Sequence, residues 1–410
     1  MLEGKNRKLL HIKDSEDMKI SIALMATLVV LTFQYFILVT FNLFETSNAS
    51  RVQLMSKILV GLLFLYAFPV VLKRNKIKVI IATLLALLLF ALHYLLFPEN
   101  HAFIESLILP FFFMCLPALF YSMSLENWNI MKSVMKVSSI LIFIFGAISG
   151  FIIFSGTTAI DTYSMSISYY MLIPTLVFLN EFFDKKTFLS FIITLVSLLV
   201  ILALGSRGAI LCIFVFIALR LIRLDSKFSY NKVFYMILTL SAFSIIFFYK
   251  EIIVKFIYNF LLGFGIDSRT LQLFMNEELH LSGRDIIYRN LLMKISENPI
   301  LGLGIGGDRA LGGYAHNLFI EVFVNFGIII GGIAIIILLL MIIKSLLTKD
   351  REKYNMLIIW INLGFVHLMV SQTYLTDIKF WVLIGLIINY LFLKSSPQEI
   401  EKYKSTEKSF

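Results

Sequence analysis

The chain has 410 residues, of which 59% are hydrophobic and only 15% are charged, and its mean hydropathy is +0.89. This balance excludes a soluble globular domain, whose hydrophobic share is about 45–50%. The formal net charge of +10 could favour nucleic-acid binding, but the basic residues lie in short segments between apolar runs. We therefore expect a polytopic, all-α membrane protein with no nucleic-acid partner.

Apolar runs long enough for a helix to cross the hydrocarbon core recur along nearly the whole chain. They predict about twelve transmembrane helices. The first run is too long for the apolar region of a signal peptide and is expected to be a retained helix. The predicted spans are 18–42, 54–72, 77–97, 103–122, 130–154, 165–182, 187–204, 208–223, 233–249, 317–346, 354–372 and 378–393.

The distribution of basic residues predicts the orientation of these spans. When the spans are numbered from an inner N-terminus, 25 of the 36 Lys and Arg residues fall on the inner side, and seven of the other 11 lie in one long outer loop. Long loops escape the positive-inside rule, so the short loops decide the orientation. Both termini are therefore expected to be cytoplasmic.

The predicted organisation is nine spans over residues 1–249, a long extracytoplasmic loop over 250–316, three spans over 317–393 and a cytoplasmic tail over 394–410. A connection as long as 250–316 is usually functional or disordered. Apolar spacing in KEIIVKFIYNFLLGFG favours an interfacial helix, and GRDIIYRNLLMKISENP favours a helix that stops before Pro299. The loop has seven basic and seven acidic residues. Any bound anion must therefore be held by individually placed arginines.

A glycine run, GLGIGG, occupies Gly302 to Gly307 and formally fits the dinucleotide-binding pattern G-x-G-x-x-G. That pattern is meaningful only between a strand and a helix, and the surroundings here predict neither a βαβ unit nor a cytoplasmic location. Two interpretations stay open. The run is either a flexible turn that joins two helices or a backbone that approaches a substrate closely at Gly304 and Gly306.

Polar residues at the predicted outer boundary supply the candidate site. Arg207, in the sequence GSRG, is either a snorkelling arginine at a helix end or a phosphate-binding residue. His316 stands before the tenth span and is either a packed interfacial histidine or a general base, since its ordinary pKa suits proton abstraction.

Further candidates surround these two residues. Arg284 and Tyr288 share one face of the predicted loop helix, whereas Arg289 points away from them. The other candidates are Asn317 after the histidine, and Tyr374 and Asp377 in the last outer loop near Lys379.

Several other residues carry no functional signal. No His, Cys or carboxylate cluster has the spacing of metal ligands, so neither a metal nor a cofactor is expected. Cys115 and Cys212 fall inside spans and are expected to pack as small hydrophobic residues. His93 and His101 flank an outer turn without a supporting pattern.

Taken in order, LGSRGAILC, SGRDIIYR, ENPILGLGIGG and AHNLFIEVFVNFGIIIGG resemble the O-antigen ligase and polymerase superfamily of bacterial envelope glycan enzymes. The resemblance covers roughly residues 190–345. It implies a metal-independent, inverting glycosyltransferase on the outer face of the bacterial cytoplasmic membrane. The donor would be a glycan on a polyprenyl pyrophosphate such as undecaprenyl pyrophosphate.

The resemblance also implies roles for individual residues. Arg207 and Arg284 would hold the pyrophosphate, and His316 would activate the acceptor hydroxyl. This chain departs from the family pattern at Tyr288, where relatives often carry a tryptophan.

The acceptor separates two related activities. A polymerase joins repeat units of O-antigen, capsular or exopolysaccharide, whereas a ligase passes the glycan to the lipid A core of lipopolysaccharide or to a protein. We favour the polymerase, which would work with membrane lipid and with a chain-length regulator and flippase of the same pathway. A lipid-linked glycan flippase is the alternative from another class, but it would predict internal repeats and charges near the membrane midplane.

Overall fold

A computed structural model describes residues 2–44, 46–154, 165–204, 206–223, 241, 250–263, 284–310 and 313–392. All regular secondary structure in these residues is helical. The helices are α1 (Leu2–Thr40), α2 (Ser47–Leu96), α3 (His101–Pro110), α4 (Leu116–Met123), α5 (Trp128–Phe154), α6 (Met165–Lys185), α7 (Phe188–Leu204), α8 (Arg207–Ile222), α9 (Lys250–Leu262), α10 (Arg284–Glu297), α11 (Gly307–Ala310), α12 (Leu318–Leu346), α13 (Arg351–Trp360) and α14 (Ile378–Phe392). A 3₁₀ turn at Pro98–Asn100 precedes α3, and π-helical turns at Phe111–Cys115 and Ile361–Val366 follow α3 and α13.

Five helical segments in the described residues are long and apolar enough to cross a membrane. The all-α membrane class is therefore supported, but the count of about twelve spans stays a prediction. The predicted span 233–249 lies outside the described residues, apart from residue 241. The five segments are Ile12–Thr40, Ser47–Leu96, Pro98–Met123, Trp128–Ile153 and Leu318–Leu346.

Helix α2 contains a reversal of the chain. Its 50 residues are interrupted at Asn75, where φ is −138° and ψ is 29°. The half before Asn75 runs antiparallel to α1, since Ser56 bonds Gln34 and Arg74 bonds Asp17. The half after Asn75 runs antiparallel to the segment from α3 to α4, since the ring of Phe90 packs on Phe111 and Asn75 donates to Ser124. The predicted spans 54–72 and 77–97 are thus joined by a break of one residue.

Ion pairs gather at one end of the bundle. Arg74 contacts Asp17 at 2.6 Å and Glu16 at 3.0 Å, and it donates to the carbonyl of Ser124 at 2.8 Å. At the same end, Asp184 at the end of α6 accepts from Arg220 and Arg351, each at 2.6 Å. The N-terminal half of α1, which carries Glu16 and Asp17, lies at this end as well.

The candidate residues lie at the opposite end, with the start of α8 and the turns before α3 and α14. Within the described residues, the basic ends of the helices and the candidate site are therefore separated by the length of the bundle. This relative placement agrees with the predicted topology. The assignment of the basic end to the cytoplasm stays a prediction.

The pairing of Arg74 with Asp17 predicts a large effect of losing one partner. Both side chains are nearly inaccessible, with 8% and 0% of their surface exposed. Replacing Arg74 with Met leaves a buried carboxylate without its cation, which costs about 3–5 kcal/mol in comparable pairs. We expect the Arg74→Met protein to unfold at a clearly lower temperature in detergent. The control is Lys73→Gln, because Lys73 is 67% exposed in its pair with Glu16 and such pairs contribute about 0–1 kcal/mol; equal losses in the two variants would contradict the prediction.

Candidate active site

The start of α12 fixes the position of His316. Asn317 is the N-cap of this helix, and its side-chain oxygen accepts from the backbone N–H groups of Phe319 and Ile320. On the other side of the histidine, the buried carboxylate of Asp308 accepts from the N–H of Ala315 at 3.1 Å. His316 itself has a φ of 50°, a left-handed conformation that is uncommon for a residue with a side chain. The backbone is thus held on both sides of the candidate base.

The turn after the π-helical segment, residues 367–371, receives hydrogen bonds from two candidate residues. Arg284 donates Nη1 to the carbonyl of Val370 at 2.8 Å, and Asn317 donates Nδ2 to the carbonyl of Met369 at 3.2 Å. The two acceptors are adjacent in the chain. This turn therefore brings Arg284 on α10 next to the segment that carries His316.

Hydrophobic packing supports the same arrangement. Leu291 and Ile295 on α10 form a buried cluster with Ala315 and with Val324 on α12. The helix that begins with Arg284 is therefore fixed against the residue that precedes His316. This contact orients the arginine toward the site.

The motif that contains Arg207 meets the same turn from α8. Ser206 is the N-cap of α8 and accepts from the N–H of Ala209 at 3.3 Å. Gly208 lies so close to its neighbours that an added Cβ would be 2.2 Å from the hydroxyl oxygen of Tyr169 and 2.8 Å from Val370 Cγ2. The glycine therefore lets α8 pack against Tyr169 and the 367–371 turn. Arg207, between Ser206 and Gly208, begins its helix beside the residue whose carbonyl binds Arg284.

The electrostatic surroundings of His316 favour its neutral form. Partial burial lowers the pKa of His316, and the positive charge of nearby Arg284 lowers it further. Its Nδ1 atom is buried and has no hydrogen-bond partner among the described residues. A neutral imidazole with an unpartnered nitrogen can accept a proton.

The glycine run packs tightly between α12 and the turn before α3. Gly302, Gly304 and Gly306 have positive φ angles of 68°, 79° and 81°. A Cβ on Gly304 would lie 2.4 Å from the ring of Phe97, and one on Gly306 would lie 3.0 Å from Phe103. Packing accounts for the glycines at both positions. The proposed approach of their backbone to a substrate stays a prediction.

Two side chains from outside the glycine run form hydrogen bonds with its backbone. His93 accepts from the N–H of Ile305 at 3.0 Å through Nδ1, and Asn100 donates to the carbonyl of Leu303 at 2.7 Å. The sequence showed no pattern around His93. His101, on the other side of the turn before α3, stacks on Tyr94 with ring centroids 3.7 Å apart.

The remaining predicted site residues lie near this end of the bundle with different surroundings. Tyr374 is buried, and its hydroxyl accepts from Asn325 at 2.7 Å. Asp377 is also buried and contacts His367 Nδ1 at 3.1 Å and Lys379 at 3.8 Å. Both residues therefore take part in contacts among buried polar side chains next to the 367–371 turn.

Tyr288 and Arg289 differ as the helical spacing predicts. Tyr288, one turn after Arg284 on α10, is half-buried, and burial raises its pKa. Arg289 is exposed. The expected helix over this part of the loop ends at Glu297, before Pro299.

Sequence reasoning missed several residues that form the framework of the site. They include Tyr169, whose ring packs on His367 at a centroid distance of 4.0 Å and whose hydroxyl lies against Gly208. The sequence did offer one signal for this framework. Polar residues are dense between Ser371 and Asp377, in an otherwise apolar region. Nothing in the sequence pairs Tyr169 with Gly208, because the two lie on different helices.

One protein family matches part of the chain. Residues 192–337 match the family model Wzy_C, described as O-antigen ligase. This match supports a relation of that part of the chain to the O-antigen ligase and polymerase superfamily. The matched range includes Arg207, Arg284 and His316. No curated protein matches the chain.

The family match and the apolar helices together indicate an inner-membrane enzyme of the O-antigen ligase and polymerase type. At this coarse level the family implies lipid-linked glycan substrates and a reaction of the glycosyltransferase kind. The resemblance seen in the sequence is thereby confirmed.

The close approach at Gly208 predicts that even a methyl group disturbs the site. In Gly208→Ala the new Cβ must displace Tyr169 or Val370, and such overpacking typically costs about 1–3 kcal/mol. We expect a lower midpoint of thermal unfolding. Gly61→Ala is the control, since a Cβ there meets nothing within 4 Å and alanine is favoured over glycine in a helix. A Gly208→Ala protein as stable as Gly61→Ala would contradict the packing argument.

The neighbourhood of His316 predicts a measurable pH dependence. Its modification by diethyl pyrocarbonate, followed by mass spectrometry of the peptide, should be half-maximal below the ordinary histidine pKa of about 6.5. Arg284→Gln removes a positive charge that disfavours the imidazolium, so the midpoint should move to higher pH. An unchanged midpoint in Arg284→Gln would show that the two side chains do not interact.

Proposed function

We propose that this protein is a polysaccharide polymerase that transfers a growing glycan from polyprenyl pyrophosphate to the next lipid-linked repeat unit. The transfer would take place on the outer face of the cytoplasmic membrane, without a metal ion and with inversion at the anomeric carbon. The proposal extends the family match, which supports the enzyme type but does not distinguish the acceptor.

One observation carries the proposal. The segments that carry three sequence-predicted residues contact the 367–371 turn. Arg284 donates to Val370, Asn317 next to His316 donates to Met369, and Gly208 next to Arg207 lies against Val370. In such a transfer, a neutral imidazole can act as the general base and two cations can stabilise the departing pyrophosphate, so these residues fit a metal-independent reaction.

In the proposed reaction the acceptor hydroxyl loses its proton to His316 as its oxygen attacks the anomeric carbon. The bond between that carbon and the pyrophosphate oxygen breaks, and the electron pair leaves with the pyrophosphate. Arg284 and Arg207 would stabilise the negative charge that develops on the leaving group, an effect worth about 3–4 kcal/mol for single well-placed donors. The lipid tail would remain among the helices.

The guanidinium of Arg284 is suited to this role. Its bond to the Val370 carbonyl uses one of the five N–H donors of the group and fixes its direction. A carbonyl has no formal charge, so the bond leaves the positive charge available for phosphate. Bidentate contact with phosphate oxygens would then use the remaining donors.

A ligase is the second candidate, because the matching family model is described as O-antigen ligase. The donor and the roles of Arg207, Arg284 and His316 would be unchanged. Only the acceptor would differ, as lipid A core or protein would replace a lipid-linked repeat unit. The flippase alternative gains no support from the residues around the 367–371 turn.

The catalytic assignment predicts the glycan phenotype of substitutions. In a deletion strain, His316→Ala or Arg284→Ala should fail to restore surface polymer, with activity reduced by at least about 100-fold. Arg289→Ala is the matched control, because it removes an exposed arginine from the same helix. Protein amount and membrane insertion are measured by immunoblot, and normal polymer with either test variant would refute the assignment.

The same deletion strain separates the two candidates. Loss of a polymerase leaves single repeat units on the surface, whereas loss of a ligase leaves full-length polymer on its lipid carrier. Gel electrophoresis of surface and lipid-linked glycans distinguishes these outcomes.

A further inference from the structure

A cavity lies at the end of the bundle opposite the candidate active site. It has a volume of about 290 Å³ and is lined by the first turns of α5, the last turns of α6 and the start of α13. Its lining combines apolar side chains, such as Val177 and Ile359, with charged side chains. The proposed glycosyl transfer uses none of these residues.

Lysine side chains give the cavity donors for an anion. Three lysines and three carboxylates line it, so the lining has no net charge, but one carboxylate, Asp184, is bound by both Arg220 and Arg351 from outside the lining. The three lysines therefore face two other carboxylates, Glu181 and Glu352. Lys132 and Lys136 form ion pairs with Glu352 and Glu181 but keep 43% of their side-chain surface exposed. Each ammonium has three donors, so these pairs leave capacity for phosphate oxygens.

Two buried side chains in the lining require donors. The Oδ1 atoms of Asn180 and Asn355 have no hydrogen-bond partner among the described residues, and the two residues are only 4% and 1% exposed. An unsatisfied buried acceptor costs about 1–3 kcal/mol, which a bound hydroxyl group would recover. A suitable ligand therefore combines an anionic group with hydroxyl donors.

The size and place of the cavity narrow the choice further. Its volume is at the lower limit of small-molecule pockets, which span about 300–1,000 Å³. It opens between helices at the basic end of a membrane bundle, where lipid headgroups lie, and basic pockets between membrane helices bind anionic headgroups. We propose that this cavity binds the headgroup of an anionic membrane lipid with a phosphodiester and free hydroxyls, as in phosphatidylglycerol, with Lys132 and Lys136 on the phosphate and Asn180 and Asn355 on the hydroxyls.

The first test uses the full-length protein in detergent without any substitution. Short-chain phosphatidylglycerol and phosphatidylcholine are titrated separately, and bound lipid is counted by native mass spectrometry. Phosphatidylglycerol should bind at least about tenfold more tightly, since each nearby lysine contributes roughly fivefold to binding an anionic surface. Equal binding of the two lipids would overturn the proposal.

Two further ligands separate the sources of the signal. Phosphatidic acid lacks the headgroup hydroxyls and should bind more weakly than phosphatidylglycerol; equal or tighter binding would overturn the role of the asparagines. Glycerol 3-phosphate and sodium phosphate should not displace the lipid at equal concentration. Displacement by either would show a site for free phosphate compounds.

Substitutions then locate the site. The double variant Lys132→Gln, Lys136→Gln should lose about tenfold or more of its affinity for phosphatidylglycerol. Lys73→Gln is the matched control, because Lys73 lies at the same end of the bundle and pairs with Glu16, but it does not line the cavity. Equal losses in the double variant and the control would place the lipid elsewhere. Glycan synthesis by the proposed polymerase is a separate readout, so failure of either proposal does not affect the other.

Discussion

Two backbone carbonyls, those of Met369 and Val370, hold the candidate active site together. They accept hydrogen bonds from Asn317 and Arg284, while the Val370 side chain lies against Gly208. The turn ends a π-helical segment, a form that is rare and is often found at functional sites. A turn with outward carbonyls can bind arginine and asparagine side chains without adding negative charge. The geometry of three distant segments therefore depends on one short piece of backbone.

The supports of His316 show how position and protonation are controlled together. The cap at Asn317 and the bond from Ala315 to Asp308 fix the backbone on both sides, so the left-handed conformation of the histidine is enforced by its neighbours. Burial and the charge of Arg284 then lower its pKa. The arginine that is proposed to bind a phosphate thus also favours the neutral imidazole. Position depends on Asn317 and Asp308, whereas the pKa depends on burial and Arg284.

Much of the helical framework was predictable because apolar runs, a proline and an N-cap asparagine act locally. The helix that ends at Glu297 before Pro299 and the start of α12 after Asn317 follow from such signals. The break at Asn75 was expected only as a loop, since the sequence does not show that one residue suffices to reverse the chain. Contacts such as Tyr169 with Gly208, or His93 with Ile305, join residues far apart in the chain. They depend on which helices are neighbours, and a single sequence with no repeat does not specify that.

The arginines at the two ends of the bundle have different hydrogen-bond partners. At the basic end, Arg74 binds Asp17 and Glu16, and Arg220 binds Asp184. A carboxylate cancels the charge of its arginine, so such a pair mainly fixes helices. Arg284 instead donates to a carbonyl, which orients the guanidinium but leaves its charge uncompensated by that bond. At a membrane boundary an uncompensated charge is costly unless a ligand or water meets it. In the proposed reaction, the pyrophosphate would be the group that meets this charge.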